Sequence, residues 1–411
     1  MKPNFSRKLV YVAVSVCALL CLATRSAEGQ IAGVLHSFTG GPGDGATPYA
    51  GLITDSSGNF FGTTAGGGAH GYGTVFELVN SSGSYSEKVL YSFTGSQSGG
   101  DGANPYAGLV MDSSGNLYGT TASGGLSGGG TVFELVNSSG TYTEKVLHSF
   151  TNAALDGAFP IGGLVIDGSG NLYGTTQSGG SAFSGTVFEL INSAGTYSEQ
   201  VLYNFTKSGG DGAYPSAGPI IDGSGNLYGT TQQGGANGFG TVFELVNSSG
   251  TYSEQVLYSF TNSGGDGANP LGGLLADSSG NLFGTTSSGG AGFGGTVFEL
   301  VNSSGTYSEK VLYGFMSSAG DGVQPGYGSL IMDSSGDLFG TTSNGGALKQ
   351  GGTVFELVNS SGTYTENVLY SFSGVCGNGL NPYGGLVMDS SGNLYGTTDG
   401  GAAAAQGPCS A

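Results

Sequence analysis

The sequence predicts an all-β fold, a seven-bladed β-propeller of four-stranded antiparallel blades with about 55 residues per blade. A fixed period carries this prediction, because repeats of this length are typical of propellers or solenoids. Tight turns between antiparallel strands favour the propeller. The string Gly-Thr-Thr recurs every 55 to 57 residues, beginning at Gly62, Gly119, Gly174, Gly229, Gly284, Gly340 and Gly396. The string Thr-Val-Phe-Glu-Leu begins at Thr74, Thr131, Thr186, Thr241, Thr296 and Thr353.

One repeat, residues 101–150, shows the four predicted strands. Ala107 to Asp112 is a short apolar run, which is typical of a buried strand. A Ser-Ser-Gly turn leads to the return strand from Asn116 to Thr121, because glycine takes the positive φ that a short hairpin requires. Thr131 to Val136 is β-branched and aromatic, and Tyr142 to Phe150 alternates like a more exposed outer strand.

The last repeat is incomplete. It has two inner strands, Gly385 to Thr398, but no third or outer strand of its own. The outer-strand string also occurs once near the N-terminus, before any complete repeat. We therefore expect Val34 to Phe38 to supply the outer strand of a reduced last blade and to close the ring.

The N-terminus has the pattern of an export signal. Basic residues precede an apolar run from Leu9 to Ala23, and small and polar residues follow up to Gly29. The run is about 15 residues long, shorter than the roughly 20 that span a membrane, so a membrane anchor is the weaker alternative. We expect a signal at 1–29, a single propeller domain at 30–400 and a short tail at 401–411.

Composition excludes several classes of partner. The 411 residues include 9 Lys and Arg against 28 Asp and Glu, a formal net charge of −19. No segment gathers the basic residues, so nucleic acid and anionic membrane surfaces are excluded as partners. No run beyond the N-terminus is long and apolar enough to span a membrane, so no span is expected in the mature chain. We expect a secreted or extracellular monomer, with surface association or the periplasm as alternatives.

Three linked strings resemble a known repeat. They are Gly115 to Thr121, Gly129 to Leu135 and Asp101 to Pro105, and together they resemble the GloVer tandem repeat of exported bacterial "choice-of-anchor" proteins. The resemblance covers residues 34–398 and implies a secreted or surface-displayed β-repeat protein without an assigned activity. The segment from Ala402 to Ala411 departs from the family pattern, since it has no apolar anchor helix or basic tail, and this favours free secretion.

The predicted binding face carries the variable loops. In a four-stranded blade, the loops between second and third strands lie on the same face of the disc as the linkers between blades. Binding residues favour variable loops on a rigid scaffold, so we expect a ligand site there and name His70 and Tyr72 as candidates.

A ring of Asp-Gly motifs is expected on the same face. Two interpretations are open: a carboxylate ring that binds calcium or sugar hydroxyls, or turns in which each Asp accepts backbone N–H bonds. We favour the turns, because calcium needs several oxygens converging in one loop. We therefore expect no cofactor, with calcium as the alternative. The ring consists of Asp44, Asp101, Asp156, Asp211, Asp266 and Asp321.

Aromatic residues next to the recurring proline could stack on sugar rings or pack between blades, and packing is favoured because the chain has no Trp. They are Tyr49, Tyr106, Phe159, Tyr214 and Tyr383. No pair of carboxylates is distinguished as a matched acid and base, and the three His do not form a zinc motif, so no catalytic or metal residue is predicted. Cys376 and Cys409 both belong to the last repeat, and in an oxidising location we expect them to form a disulfide.

These observations predict an exported, non-enzymatic propeller that binds an unidentified extracellular protein or glycan, or serves in cell-surface interaction. The alternative is an extracellular enzyme that processes a glycan or a lactone in the central funnel of the same face.

Overall fold

The computed structural model describes residues 32–95, 100–153, 155–316, 320–348, 350–374 and 378–401, together with the backbone of the strand Val10–Val14. All regular structure in these residues is β. Six repeats each form a sheet in which first, second, third and outer strands pair antiparallel in that order. The all-β, repeated, four-stranded antiparallel architecture is therefore confirmed.

The strand bounds of the six blades follow the repeat. Those of blades 1 to 3 are Ile53–Thr54, Phe60–Thr64, Thr74–Ser81 and Ser84–Ser92, then Val110–Met111, Leu117–Thr121, Thr131–Ser138 and Thr141–Ser149, then Val165–Ile166, Leu172–Thr176, Thr186–Ser193 and Thr196–Asn204. Those of blades 4 to 6 are Ile220–Ile221, Leu227–Thr231, Thr241–Ser248 and Thr251–Ser259, then Leu275–Ala276, Leu282–Thr286, Phe293–Ser303 and Thr306–Met316, then Ile331–Met332, Leu338–Gly345, Thr353–Ser360 and Thr363–Ser371.

The prediction of seven blades is wrong: the described residues form six blades of this kind. The seventh repeat contributes only Val387–Met388 and Leu394–Thr397, because its sequence lacks the third and outer strands. These two strands join a mixed sheet, which we call the closing sheet. Its other members are Val10–Val14, parallel to Leu394–Thr397, and Ala32–Ser37, parallel to Val10–Val14.

The predicted outer strand is thus present, but it does not pair directly with the last repeat. Ala32–Ser37 is the edge strand of the closing sheet, and Val10–Val14 lies between it and Leu394–Thr397. Val10–Val14 falls inside the predicted export signal, so removal of the signal would take this strand from the sheet.

The core lies between neighbouring sheets. In blades 1 to 5, a buried Phe at the end of the outer strand meets a buried Phe of the next third strand edge to face, as in Phe93 and Phe133, whose ring centroids are 5.1 Å apart. The same contact, at 4.9 Å between Phe38 and Phe76, joins the closing sheet to blade 1. A single sheet could not bury these rings, because each apolar cluster takes side chains from two sheets.

Threonine hydroxyls bond most sheets to the next one in the ring. Thr63 Oγ1 donates to the Ala107 carbonyl at 2.8 Å, and Thr230 Oγ1 donates to that of Gly272 at 3.1 Å. Thr397 Oγ1 makes the corresponding bond to the Ala50 carbonyl at 2.6 Å. Since this bond joins the last repeat to the first, the ring is closed.

The linkers between blades and the loops between second and third strands lie together on one face of the disc, as predicted. In the first five blades each linker pairs with the loop of the same blade as a two-stranded antiparallel ribbon. In blade 6 the linker strand Gly322–Pro325 pairs with Leu338–Gly345. We call this side of the disc the loop face. Its ribbons pair Gly45–Ala46 with Gly66–Gly67, Gly102–Ala103 with Ser123–Gly124, Gly157–Ala158 with Ser178–Gly179, Gly212–Ala213 with Gln233–Gly234, and Gly267–Ala268 with Ser288–Gly289.

Candidate functional site

A cavity of about 660 Å³ lies on the axis of the ring. Its wall takes a residue from every repeat, in each case one or two positions after the recurring proline where the linker enters the first strand. The cavity is therefore at the loop-face end of the axis. These seven residues are Tyr49, Tyr106, Ile161, Ser216, Leu271, Tyr327 and Tyr383.

Four tyrosines follow one another around half of this wall, and we call them the tyrosine arc: Tyr327, Tyr383, Tyr49 and Tyr106. Neighbouring rings are in contact, with centroid distances of 4.9 Å from Tyr327 to Tyr383, 5.4 Å from Tyr383 to Tyr49 and 5.2 Å from Tyr49 to Tyr106. Tyr327 and Tyr106 remain 55% and 39% exposed, so both ends of the arc present ring surface to a ligand.

A carboxylate stands beside the arc. Asp399 follows the last Gly-Thr-Thr, where the other repeats carry Ala, Gln or Ser, and its carboxylate lies near the Tyr49 hydroxyl. Burial, followed by the charge of Asp399, raises the pKa of Tyr49 to about 12, so this hydroxyl stays protonated. Burial also raises the pKa of Asp399 above its ordinary value, and the nearby Tyr49 hydroxyl opposes that shift.

The other half of the wall is aliphatic and neutral. Ile161 and Leu271 flank Ser216, while Gln177 and Gln232 occupy the positions that correspond to Asp399 in their own repeats. The cavity therefore has an aromatic side, beside which Asp399 lies behind Tyr49, and an aliphatic side with amide groups. This asymmetry is a departure from the repeat, and a ring of identical units could not produce it.

The predicted Asp ring lies between sheets and not in the cavity wall. Each Asp Oδ2 accepts the backbone N–H of the residue that follows the buried Phe at the end of the outer strand, as Thr94 donates to Asp101 at 2.7 Å and Thr206 to Asp211 at 2.6 Å. A side chain of the outer strand adds a second bond, as in Tyr91 to Asp101 at 3.2 Å. Asp44, Asp156, Asp266 and Asp321 have the same arrangement. Their binding of a ligand or of calcium stays a prediction.

His70 and Tyr72 lie where the sequence placed them, exposed in the loop of blade 1. The Tyr72 ring is 45% exposed. In four other blades the corresponding loop exposes a large apolar side chain. With Tyr72 these form an apolar rim on the loop face, whose other members are Leu126, Phe183, Phe293 and Leu348.

Tyr327, Asp399 and most of the rim were not predicted from the sequence. Tyr327 escaped because the linker of blade 6 reads Pro-Gly-Tyr-Gly-Ser-Leu, one residue longer than Pro-Tyr-Gly-Gly-Leu of the last repeat. A carboxylate after Gly-Thr-Thr was the available signal for Asp399. Of the predicted aromatics, Tyr49, Tyr106 and Tyr383 line the cavity, whereas Phe159 and Tyr214 precede their prolines and do not. Cys376 and Cys409 lie outside the described residues, so their disulfide stays a prediction.

Solved structures with a similar fold include proteins of different kinds. PorZ of Porphyromonas gingivalis, an essential surface component of the type IX secretion system, matches with a TM-score of 0.53 and 16% identity, over 86% of this chain and 46% of PorZ. A putative 6-phosphogluconolactonase of Bacteroides uniformis matches with a TM-score of 0.51 and 12% identity, over 79% and 85%. At these identities the likeness shows the fold alone. No curated protein matches the chain in sequence.

No helix in the described residues is long and apolar enough to cross a membrane. The profile of the Gloeobacter/Verrucomicrobia repeat matches residues 24–220 and 194–409, which together include every repeat identified above. The chain therefore belongs to the Gloeobacter/Verrucomicrobia repeat family.

Proposed function

We propose that this chain is an exported binding propeller that recognises a glycan through its loop face, with the axial cavity as the seat for a sugar residue. The tyrosine arc beside Asp399 is the observation that carries the proposal. It concentrates aromatic surface in one half of a cavity that repetition alone would have made uniform, with a carboxylate beside that half.

The chemistry of the cavity suits a polyhydroxylated ring. Sugar rings have apolar C–H faces, which pack on aromatic rings, and hydroxyl edges, which need polar partners. Tyr106 and Tyr327 offer exposed ring surface, while Asp399, Gln177 and Gln232 offer acceptors and amide donors near the same space. Binding pockets generally combine apolar walls with a few placed polar groups.

The apolar rim supports contact with something larger than one sugar residue. Phe293 is 79% exposed, Leu126 68% and Leu348 60%. Polar side chains would be expected at these positions if the loop face contacted only water. These side chains recur on one face in five blades, and loops held by a rigid scaffold commonly carry binding. Export itself rests on the N-terminal signal pattern.

A glycan array comparing matched tyrosine variants tests the proposal. Tyr106→Ser removes one ring of the arc, and the fold should tolerate it because Ser216 occupies the corresponding position in its own repeat. Tyr214→Ser removes a ring that does not line the cavity. We expect Tyr106→Ser to weaken binding of the recognised glycan at least tenfold, about 1.4 kcal/mol, with Tyr214→Ser close to the unmodified chain.

Binding that is equal in both variants, or no binding to any glycan, would contradict the proposal. The array is repeated with a chelator, since loss of binding on chelation would indicate that metal takes part. The alternative function is an extracellular enzyme acting on a glycan or a lactone in the same cavity, and the unique Asp399 favours it. Turnover of such a substrate that Asp399→Asn abolishes would establish the alternative.

A further inference from the structure

Two contacts between neighbouring sheets bring an imidazole and two carboxylates together. His36, Asp44 and Glu87 form one cluster, and His148, Asp156 and Glu199 form the other. In each cluster one ligand atom from each side chain lies within 4.8 Å of the others. Neither cluster belongs to the axial cavity.

Each cluster is built from two sheets and the linker between them. In the second, His148 comes from the outer strand of blade 2, Asp156 from the following linker and Glu199 from the outer strand of blade 3. In the first, His36 comes from the closing sheet and Glu87 from blade 1. A group bound to all three side chains would therefore connect two sheets.

The Asp side chains are already oriented. Asp44 Oδ2 accepts both the backbone N–H and the hydroxyl of Thr39, each at 2.6 Å. Asp156 Oδ2 accepts the same two groups of Thr151, each at 2.7 Å. These bonds leave Oδ1 facing the imidazole, 3.2 Å from Nε2 of His36 and 3.3 Å from Nε2 of His148.

The Glu side chains have an unsatisfied oxygen. Among the described residues, Oε1 of Glu87 and of Glu199 is buried and has no hydrogen-bond partner. A buried polar atom without a partner is costly, and a bound ion would satisfy it. The equivalent oxygens of Glu144, Glu254, Glu309 and Glu366 are also unpartnered, so the imidazole is what distinguishes these two clusters. The outer strands of blades 1 and 2 each carry one lysine, and neither lysine pairs with a cluster carboxylate. Lys88 pairs with Glu77 and Lys145 with Glu134, and both glutamates are on third strands.

Four other contacts between sheets have the same plan with a tyrosine in place of the histidine. Tyr258, for example, donates its hydroxyl to Asp266 at 3.1 Å, and Glu309 supplies the carboxylate with the buried, unpartnered Oε1. A neutral phenol is a donor here and supplies no nitrogen ligand. These four contacts provide a matched comparison within the chain, at Tyr91, Tyr203, Tyr258 and Tyr313.

We propose that each of the two histidine clusters binds a divalent transition-metal ion of the Zn²⁺ class. The ligands are imidazole Nε2, Asp Oδ1 and Glu Oε1, and water completes the coordination. Zn²⁺ is commonly bound by imidazole and carboxylate ligands, with three protein ligands in sites that keep a water. The threonine bonds hold the Asp ligand in the way that outer-shell groups orient a metal ligand.

The first site gives the ion a structural role. It would connect the closing sheet to blade 1, at the point where the repeat is incomplete and the ring is joined. The second would connect blades 2 and 3. Because the ion binds only the folded arrangement, it should raise the thermal midpoint in proportion to its affinity and concentration.

Metal stoichiometry tests the proposal. The full chain, without a histidine tag and with its thiols alkylated, is stripped with a chelator, desalted and titrated with Zn²⁺ by calorimetry. Co²⁺ titration followed by visible absorption serves as an independent probe of nitrogen and oxygen ligation. We expect two ions per chain for the unmodified protein, one for His148→Tyr, and none for His36→Tyr combined with His148→Tyr.

The variants carry their own controls. Tyrosine at these positions is native to four other contacts, so the variants should fold, and near-ultraviolet circular dichroism checks this. Glu199→Gln should weaken the second site at least tenfold, whereas Glu309→Gln, at a tyrosine contact, should leave both sites unchanged. His70, exposed in its loop, remains in every variant and reports adventitious imidazole binding.

Two outcomes would overturn the inference. One is an unmodified chain that binds no Zn²⁺ or Co²⁺ at micromolar concentration. The other is a double tyrosine variant that binds as many ions as the unmodified chain, since the imidazoles would then not be ligands. Glycan binding is read separately, so failure here leaves the proposed function untouched.

Discussion

At the scale of single residues, the glycine of Gly-Thr-Thr shows why the repeat tolerates little change there. A Cβ placed on Gly119 would lie 2.6 Å from Cζ of the buried Phe133. The small residue is needed because the second strand passes directly over the ring of the third. Gly168, in the turn of blade 3, has open space around a corresponding Cβ, and its φ is not positive.

We therefore expect Gly119→Ala to be destabilising and Gly168→Ala to be neutral. Overpacking of a filled core typically costs 1–3 kcal/mol, so a loss of about 2 kcal/mol is expected for Gly119→Ala. Chemical denaturation of the two variants beside the unmodified chain measures the difference. Equal midpoints for the two variants would show that the contact with Phe133 relaxes without cost.

A second residue-scale property is the burial of outer-strand glutamates. Desolvation, followed by the charge of the facing Asp, raises the pKa of Glu254 and of Glu309 to about 7. A carboxyl whose pKa is higher in the folded state than in the unfolded state stabilises the fold while it is protonated. That stabilisation is complete below the unfolded-state pKa and is lost as the pH rises through about 7.

The chain should thus have a higher thermal midpoint at pH 5 than at pH 8, measured in the presence of a chelator. Glu254→Gln combined with Glu309→Gln removes two of the titrating groups. We expect this variant to gain stability at pH 8 and to differ little from the unmodified chain at pH 5, so that its pH dependence is shallower. A midpoint that rises between pH 5 and pH 8 in the unmodified chain would refute the argument.

At the scale of strands, the bounds of the third and outer strands were predicted more accurately from the sequence than those of the first strand, which lies next to the axis of the ring. The third and outer strands of blade 2, expected at Thr131 to Val136 and Tyr142 to Phe150, are observed at Thr131–Ser138 and Thr141–Ser149. The first strand, expected from Ala107 to Asp112, is only Val110–Met111. Its first residues instead accept a threonine bond from the preceding blade, and a pattern within one repeat does not reveal that partner.

The same limit applies to the candidate site. Three tyrosines of the arc were predicted from their place after a proline, but the sequence did not predict that they lie in contact. Tyr49 and Tyr383 are far apart in sequence and touch at 5.4 Å only because the ring closes. The place of Asp399 in the candidate site likewise depends on Tyr49, a residue of the first repeat.

At the scale of the whole molecule, closure compensates for the incomplete last repeat. The prediction of seven blades counted the last repeat as a reduced blade that Val34 to Phe38 would complete, whereas this segment does not pair with the last repeat directly. The ring instead closes through side chains, with Phe38 against Phe76 and Thr397 bonded to the Ala50 carbonyl. None of these contacts involves the backbone strand Val10–Val14.

Isosteric threonine variants measure how much the closing contact contributes. Thr397→Val removes the hydroxyl that bonds Ala50, and Thr230→Val removes the matching one between blades 4 and 5. Thr285 is the control, because its buried hydroxyl has no hydrogen-bond partner among the described residues. A lost buried hydrogen bond costs about 1 kcal/mol, so we expect Thr397→Val and Thr230→Val to lower the denaturation midpoint equally.

Thr285→Val should leave the midpoint unchanged or raise it, since this substitution removes an unpaired polar group. If Thr397→Val instead behaves like Thr285→Val, the ring is open between the last repeat and the first.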